Sequence, residues 1–426
     1  MTVPDETDNH TTMIKQTLTL SLALIAATSF AGPPAKPAPE VQKASSGYDR
    51  LWNALTIYED KDASLFNSFR FVGRFQLDQY YVDSNLGTDE DWVIRRWRMG
   101  GKAVFFHNHL TAHVEADINT QNLGGVLYFP TTYQRLTDAY LGWKFCDAAI
   151  LKVGKHSAPF TLDGGTSSTE LITIDRNNLT NNLWFTYEYF SGVSLSGKVS
   201  KWQYNTGIFS GGSYYVPQTT FRGSSKEFGN LNGGNFGLAS VGYDFAKDLG
   251  VKQALLRADV VYNDPDTNSN QTKKFSWIES LNFQLDAGRW GLRTDLTAGN
   301  GSLGQSDVWG AVVMPWFNIT DRLQIVGRYT YLNSDDPKGV SFGRYENVEA
   351  VERDGLGNIK TDSLGKAKTL RGDEYNEAYV GLNYYFYGHK LKLQTGFTYA
   401  WMDDSSKGHP GKYDGWGITT GLRIAW

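Results

Sequence analysis

Cysteine is all but missing from this chain: Cys146 stands alone among 426 residues, so no intramolecular disulfide is available to hold the fold, and it reads as an inert residue near a turn. Long apolar runs are missing too. Mean hydropathy is −0.41, and no apolar stretch approaches the roughly 20 residues that a membrane helix needs. Charge of one sign is equally scarce. With 41 Lys and Arg against 45 Asp and Glu, no basic field points to nucleic acid. The seven histidines (His10, His107, His109, His113, His156, His389, His409) show no HExxH or comparable metal spacing, and His107, His109 and His389 read as solvated turn residues. The glycine run at 299–304 opens no helix, so no nucleotide site is expected. No metal and no other cofactor is expected.

Aromatics, in contrast, make up 14% of residues, and glycine numbers 45, too rich a mixture for a disordered polar chain. The N-terminus carries an address. MIKQ from Met13, the apolar TLTLSLALIAAT and the small-x-small Ser29-Phe30-Ala31 read as a signal peptide over residues 1–31, with the true start at Met13. Its removal takes away Lys15, Asp5, Glu6 and Asp8, leaving 40 basic and 42 acidic residues. Residues 32–63 form a Pro-rich periplasmic segment, an extended spacer at GPPAKPAPE followed by a short helix at YDRLWNALTIYE.

From residue 64 to 426 one pattern dominates: segments of about ten residues alternate apolar and polar side chains, each bounded by turn chemistry. In SFRFVGRFQLDQY, Phe69, Phe71, Phe75 and Leu77 oppose Arg70, Arg74, Gln76 and Asp78; in LTAHVEADI, Leu110, Ala112, Val114 and Ala116 oppose Thr111, His113, Glu115 and Asp117. Sixteen strands are expected, near 66–81, 92–106, 109–118, 135–145, 149–155, 191–200, 202–210, 236–245, 253–263, 274–286, 289–300, 306–317, 322–333, 375–387, 390–402 and 414–426. Short turns (FHNH, FCDA, SKW, DAGR, NITD, YGH) alternate with longer connections at 82–91, 119–134, 156–190, 211–235, 264–273, 334–374 and 403–413, broken only by the short 301–305.

A soluble sandwich also has strands with one wet face. Two features favour a membrane instead: dense charge on the polar face, which a wide barrel accommodates in its lumen, and aromatics toward strand ends on the apolar face (Tyr81, Phe105, Trp290, Tyr329, Tyr384, Trp416, Trp426). The expected fold is therefore an all-β transmembrane antiparallel barrel of about 16 strands, closed so that no backbone donor meets lipid unpaired. Parity places Arg70, Arg74, Arg96, Arg98, Lys102, Arg257, Arg293, Arg328, Lys392 and Arg423 on the lumen side, with Asp78, Glu115, Asp117, Asp138, Asp259, Asp286, Asp295 and Glu377. Two readings of the arginines stay open: a basic strip that selects anions, or partners for the lumen acids. Arg95, of outward parity, is expected to snorkel to the headgroups.

The segments GRFQLDQYYVD (Gly73 to Asp83), RRWRMGGKAVFF (Arg95 to Phe106), LTDAYLGWKF (Leu136 to Phe145) and KVGKHSAPFTLDGGTSSTELITIDR (Lys152 to Arg176) resemble the phosphate- and polyphosphate-selective porins, the porin O/P family. The resemblance implies a homotrimer in the bacterial outer membrane, surrounded by outer-membrane lipid, with the third long loop, residues 156–183, folded into the pore. It also implies that Arg74, Arg96 and Arg98 match the family's lumen arginines, while Lys155 opens the inward loop and Arg176 ends it. The expected function is passive diffusion of small hydrophilic solutes, anion-preferring, with phosphate selectivity as the finer expectation. A sugar-conducting or general porin, and a structural or adhesive barrel whose long loops, especially 334–374, carry binding, are the alternatives; the charged, Gly-rich run of that loop suits mobility better than a rigid site. No enzyme is expected, because no strand carries an outward His near a Ser.

Overall fold

A computed structural model describes residues 46–118, 133–184, 188–212, 228, 230–264, 274–346 and 369–426. After helix α1 (Gly47–Asn53) and the short β1 (Thr56–Glu59), the chain runs β2 (Phe66–Ser84), β3 (Gly87–Phe105), β4 (Leu110–Asp117), β5 (Arg135–Cys146), β6 (Ala149–Ser157), β7 (Tyr189–Val199), β8 (Trp202–Gly212) and β9 (Asn230–Asp244). It continues through β10 (Gln253–Asn263), β11 (Phe275–Asp286), β12 (Trp290–Gly301), β13 (Val308–Asn318) and β14 (Leu323–Ser334), passes the small ladder of β15 (Val340–Ser341) and β16 (Arg371–Gly372), and ends with β17 (Glu374–Tyr387), β18 (Leu391–Asp403) and β19 (Tyr413–Ala425). Sixteen of these, β2 to β14 and β17 to β19, pair antiparallel neighbour to neighbour. The sheet closes on itself through β19 and β2, from Gly415 opposite Ser84 to Ala425 opposite Arg74.

The expected alternation holds on the outside. Phe71, Met99, Val114, Leu141, Val193, Ile208, Val313, Val380, Phe397 and Ile418 are exposed on the outer face, where lipid rather than water would cover them, and Trp202, Trp290, Tyr384 and Trp416 mark its ends. Trp426 hydrogen-bonds Gly73 in both directions, at 3.0 and 3.1 Å. Its ring covers the space where a Gly73 side chain would stand, so only glycine fits there.

Three expectations need correction. The connection expected over 82–91 is mostly strand: β2 and β3 continue to a tight turn at residues 85–86, because the alternating ladder persists there, with the Tyr80 hydroxyl donating to Asp89 at 2.7 Å. The lumen is not polar throughout. Phe190, Phe209, Phe236, Val261, Ile278, Met314 and Val326 are buried and join Leu179 and Leu183 of the third loop in one apolar cluster, so part of the lumen is a dry core rather than a water channel. In the N-terminal segment the helix is confined to α1, capped by Ser46 and Asp49 in a capping box, and the following residues pair with β2 as β1. Of the loop after β14, residues 335–346 and 369–373 are described. Phe342 and Glu346 are buried; the charged, Gly-rich run on which the expectation of mobility rests, residues 352–368, lies outside the described residues.

Candidate functional site

The third long loop leaves the wall after Ser157 and returns at Glu188, two residues later at its start and five later at its end than the expected 156–183. It is built to be rigid. Helix α2 (Leu162–Gly165) is capped by the Thr161 hydroxyl, which accepts from Gly164 at 3.2 Å; α3 (Asn178–Leu183) is capped by Asn177, which accepts from Thr180 at 2.7 Å. Asp163 ties the two together, accepting from both the backbone and the side-chain nitrogen of Asn177 at 2.9 and 2.8 Å.

The loop crosses the lumen, and the wall holds it from several sides. Leu162 donates to Asp295 of β12 at 2.8 Å, and the Thr161 carbonyl accepts from Arg257 of β10 at 2.6 Å. The carbonyls of Leu171, Ile172 and Ile174 accept from Lys392 (2.5 Å), Asn383 (2.7 Å) and Arg423 (2.9 Å). Arg328 reaches the Thr173 hydroxyl and the Asp175 carbonyl at 3.1 and 3.0 Å. Next to β19, Arg74 and Gln76 of β2 bind Ser168 at 2.7 and 3.0 Å. The inward pose is thus fixed by charge-assisted bonds, which are roughly twice as strong as neutral ones.

Between the loop and strands β2 and β3 lies a cluster of guanidiniums. Arg96, Arg98 and Arg176 converge on Glu188 at 3.0, 3.5 and 2.6 Å. Arg95 and Arg344 converge on Asp175 at 3.2 and 2.8 Å. Arg98 also pairs with Asp117 at 2.6 Å. Five guanidiniums therefore face three carboxylates, and Arg344 keeps 46% of its side chain exposed. Burial alone would raise both loop carboxyls, but Arg176, Arg96 and Arg98 outweigh it at Glu188, and Arg95 and Arg344 at Asp175. Both stay ionised well below the ordinary carboxylate range.

Of the expected site residues, Arg96, Arg98 and Arg176 are brought together here; Arg74 of β2, opposite Arg98, binds Ser168 and Glu115 instead. Arg257 and Arg328 serve as loop anchors, paired with Asp259 at 2.9 Å and Glu377 at 2.7 Å. Arg70 and Lys102 are cross-strand partners near the short-turn end and form no ion pair among the described residues; Arg293 likewise has none. Lys155 is buried on β6, opposite Ala139 and Ser191. Arg95 overturns the snorkelling expectation. Gln76 pairs with Arg96 and Leu77 with Ile94, so Arg95 is the extra residue of a β-bulge, and the bulge turns its side chain to Asp175 instead of lipid. Sequence reasoning also missed Glu188, Asp175 and Arg344, which lie in loops where parity gives no direction.

Sixteen antiparallel strands closed edge to edge, an apolar outer face and a lumen narrowed by a tethered third loop define an outer-membrane porin. Residues 69–425 match the profile of the phosphate-selective porin O and P family, and the chain belongs to that family. Among solved structures it is similar to the outer-membrane channel DcaP of Acinetobacter baumannii, with TM-score 0.52 and 12% identity over 87% of this chain and 100% of that one. It is also similar to OprB of Pseudomonas putida, with TM-score 0.51 and 13% identity over 89% and 96%. OmpT of Vibrio cholerae gives TM-score 0.50 and 11% identity over 87% and 100%. These likenesses concern the fold. A search of curated proteins found no match.

Proposed function

We propose that this porin is anion-preferring, with inorganic phosphate among its solutes, and that the solute is drawn to the cluster of Arg95, Arg96, Arg98, Arg176 and Arg344. The carrying observation is the surplus of guanidiniums over carboxylates between the third loop and β3, with the Arg344 side chain 46% exposed. Guanidinium matches phosphate oxygens in bidentate geometry, and within about 8 Å, the Debye length at physiological salt, unscreened positive charge concentrates anions. Family membership supports phosphate at the family level. Arg70, Lys102 and Arg293, which form no ion pair among the described residues, extend positive charge toward the short-turn end. Assembly as a homotrimer in outer-membrane lipid, and export by a signal peptide over residues 1–31, belong to the same proposal.

A second reading, a general porin of mild selectivity, draws on the fact that Arg257, Arg328, Lys392 and Arg423 are occupied by loop carbonyls and acids. Chloride conductance of the refolded protein in planar bilayers, with phosphate titrated in, separates the two. Saturable block that weakens in Arg344→Ala supports the anion site. Conductance falling only in proportion to chloride replaced supports the general pore.

A further inference from the structure

On the lumen face of β4 and β5 two carboxylates stand directly opposite each other: Glu115 is the cross-strand partner of Asp138. Opposed like charges destabilise a sheet, and these two are also buried, at 2% and 9% exposure. Arg74 is hydrogen-bonded to only one of them, with a nitrogen 3.3 Å from Glu115 Oε1. His113 shares their face two positions along β4. Its Nε2 lies 3.8 Å from Glu115 Oε2 and its Nδ1 lies 4.0 Å from Asp138 Oδ1, both too long for hydrogen bonds. Two further observations point to a ligand. His113 Nε2 is occluded and has no hydrogen-bond partner, and Asp138 accepts no hydrogen bond among the described residues. The neighbouring ammonium groups do not settle the conflict. Lys102, opposite His113 on β3, forms no ion pair, and Lys152 of β6 lies over the Tyr140 ring at 5.1 Å.

We propose that His113, Glu115 and Asp138 bind a divalent transition cation of the zinc class in the lumen wall. One atom from each residue can be chosen so that all lie within 4.8 Å of one another, a spread that small side-chain rotations close to coordination distance. One imidazole and two carboxylates suit a borderline cation and leave positions for water. Tyr140 packs edge-on against the imidazole at 5.4 Å, and Arg74 orients Glu115, so two of the three ligands are already steadied. The ion enters from the lumen, where 15% of the His113 side chain is open. Its two positive charges neutralise the opposed acids and leave Arg74, Lys102 and Lys152 as the uncompensated charge of that wall. Metal binding then raises the preference for anions. That consequence rests on the function proposed above; the binding itself does not.

The test uses the refolded barrel in detergent, stripped with chelator and titrated with Co2+ while the visible d–d absorption is followed, then with Zn2+ as competitor. A single saturable site is expected, displaced by Zn2+ and weakened about tenfold or more in both His113→Gln and Asp138→Asn, with Arg344→Ala unchanged. Each variant is first checked for folding by heat-modifiable gel migration, and the two independent, nearly isosteric changes guard against loss of one. No d–d band in the wild type, or a band undiminished in both folded variants, overturns the site. A band present without any shift of reversal potential on adding Zn2+ keeps the site and removes only its effect on selectivity.

Discussion

At the residue scale, arginines that look alike by parity do different work, and burial separates them. Arg328 and Glu377 are each only 4% exposed along their side chains and 2.7 Å apart. Arg328→Ala leaves Glu377 buried without its partner, which costs about 3–5 kcal/mol, and releases the Thr173 and Asp175 contacts. A clear fall in the urea midpoint of the refolded barrel is the expected result. Arg344, nearly half exposed, contributes under about 1 kcal/mol by its pair. Arg344→Ala should leave that midpoint within error while weakening phosphate block several-fold in bilayers. The sequence made Arg74, Arg96 and Arg98 legible because period-two alternation gives each side chain a face. It left Arg95 on the wrong side because one inserted residue shifts the alternation, and no feature of the letters Arg95-Arg96 signals a bulge.

At the scale of elements, the strands were legible almost throughout and the loops were not. A strand in a barrel has two unlike environments and writes them into alternating residues; a loop tethered inside a lumen meets carbonyls, acids and apolar wall within a few residues and shows no period. The tip of the loop after β14 illustrates the second case. Tyr375 donates to Glu346 Oε1 at 2.6 Å and Gly343 donates to its Oε2 at 2.7 Å; burial, reinforced by Glu377, pushes this carboxyl up to about 7. The raised value means that docking of the tip is most favourable at low pH, and that stabilisation is lost as pH rises from the ordinary glutamate range through about 7. Current noise from loop motion is therefore expected to grow as pH rises from 4.5 to about 7 and to level off above it, and Glu346→Gln should remove that dependence. The Asp175 contacts run the other way: held ionised well below the usual range, they persist at and above it and are lost only in much stronger acid. A third element-scale feature is the slot formed by Gly381 and Gly396, cross-strand partners whose missing side chains make room for the Tyr379 ring. Tyr379 carries Arg328 over its face at 4.8 Å and accepts from Ile174 at 3.3 Å. Gly396→Ala should displace the ring, lower the stability of the barrel by about 1–3 kcal/mol, read as a fall in its urea midpoint, and increase conductance fluctuation by loosening the third loop.

At the scale of the whole molecule, closure depends on two distant stretches meeting along one strand. β2 is longer than the partner β19 provides. Where β19 stops at Ala425, Trp426 takes Gly73, Leu55 takes Phe71, and β1 pairs with residues 68–70. The N-terminal segment therefore covers an edge that would otherwise be open. Removing residues 46–59 should lower the thermal midpoint of the barrel while leaving its conductance per channel unchanged, as read by heat-modifiable migration and bilayer recordings on the same preparation. The charge pattern alone did not reveal this role, because the segment reads as polar spacer until its pairing with β2 is seen.

The meeting point carries its own optical label. Trp52 of α1 is 5% exposed, donates its indole nitrogen to the Ala425 carbonyl at 2.6 Å and packs against Tyr387. That environment exists only after the N-terminal segment, which leads into the first strand, has met the end of the last one. The emission of Trp52, isolated as the difference between the wild-type protein and Trp52→Phe, thus serves as a clock for the final event of assembly: a blue shift that lags behind the growth of β-sheet signal would time the sealing of the cylinder separately from the folding of its wall.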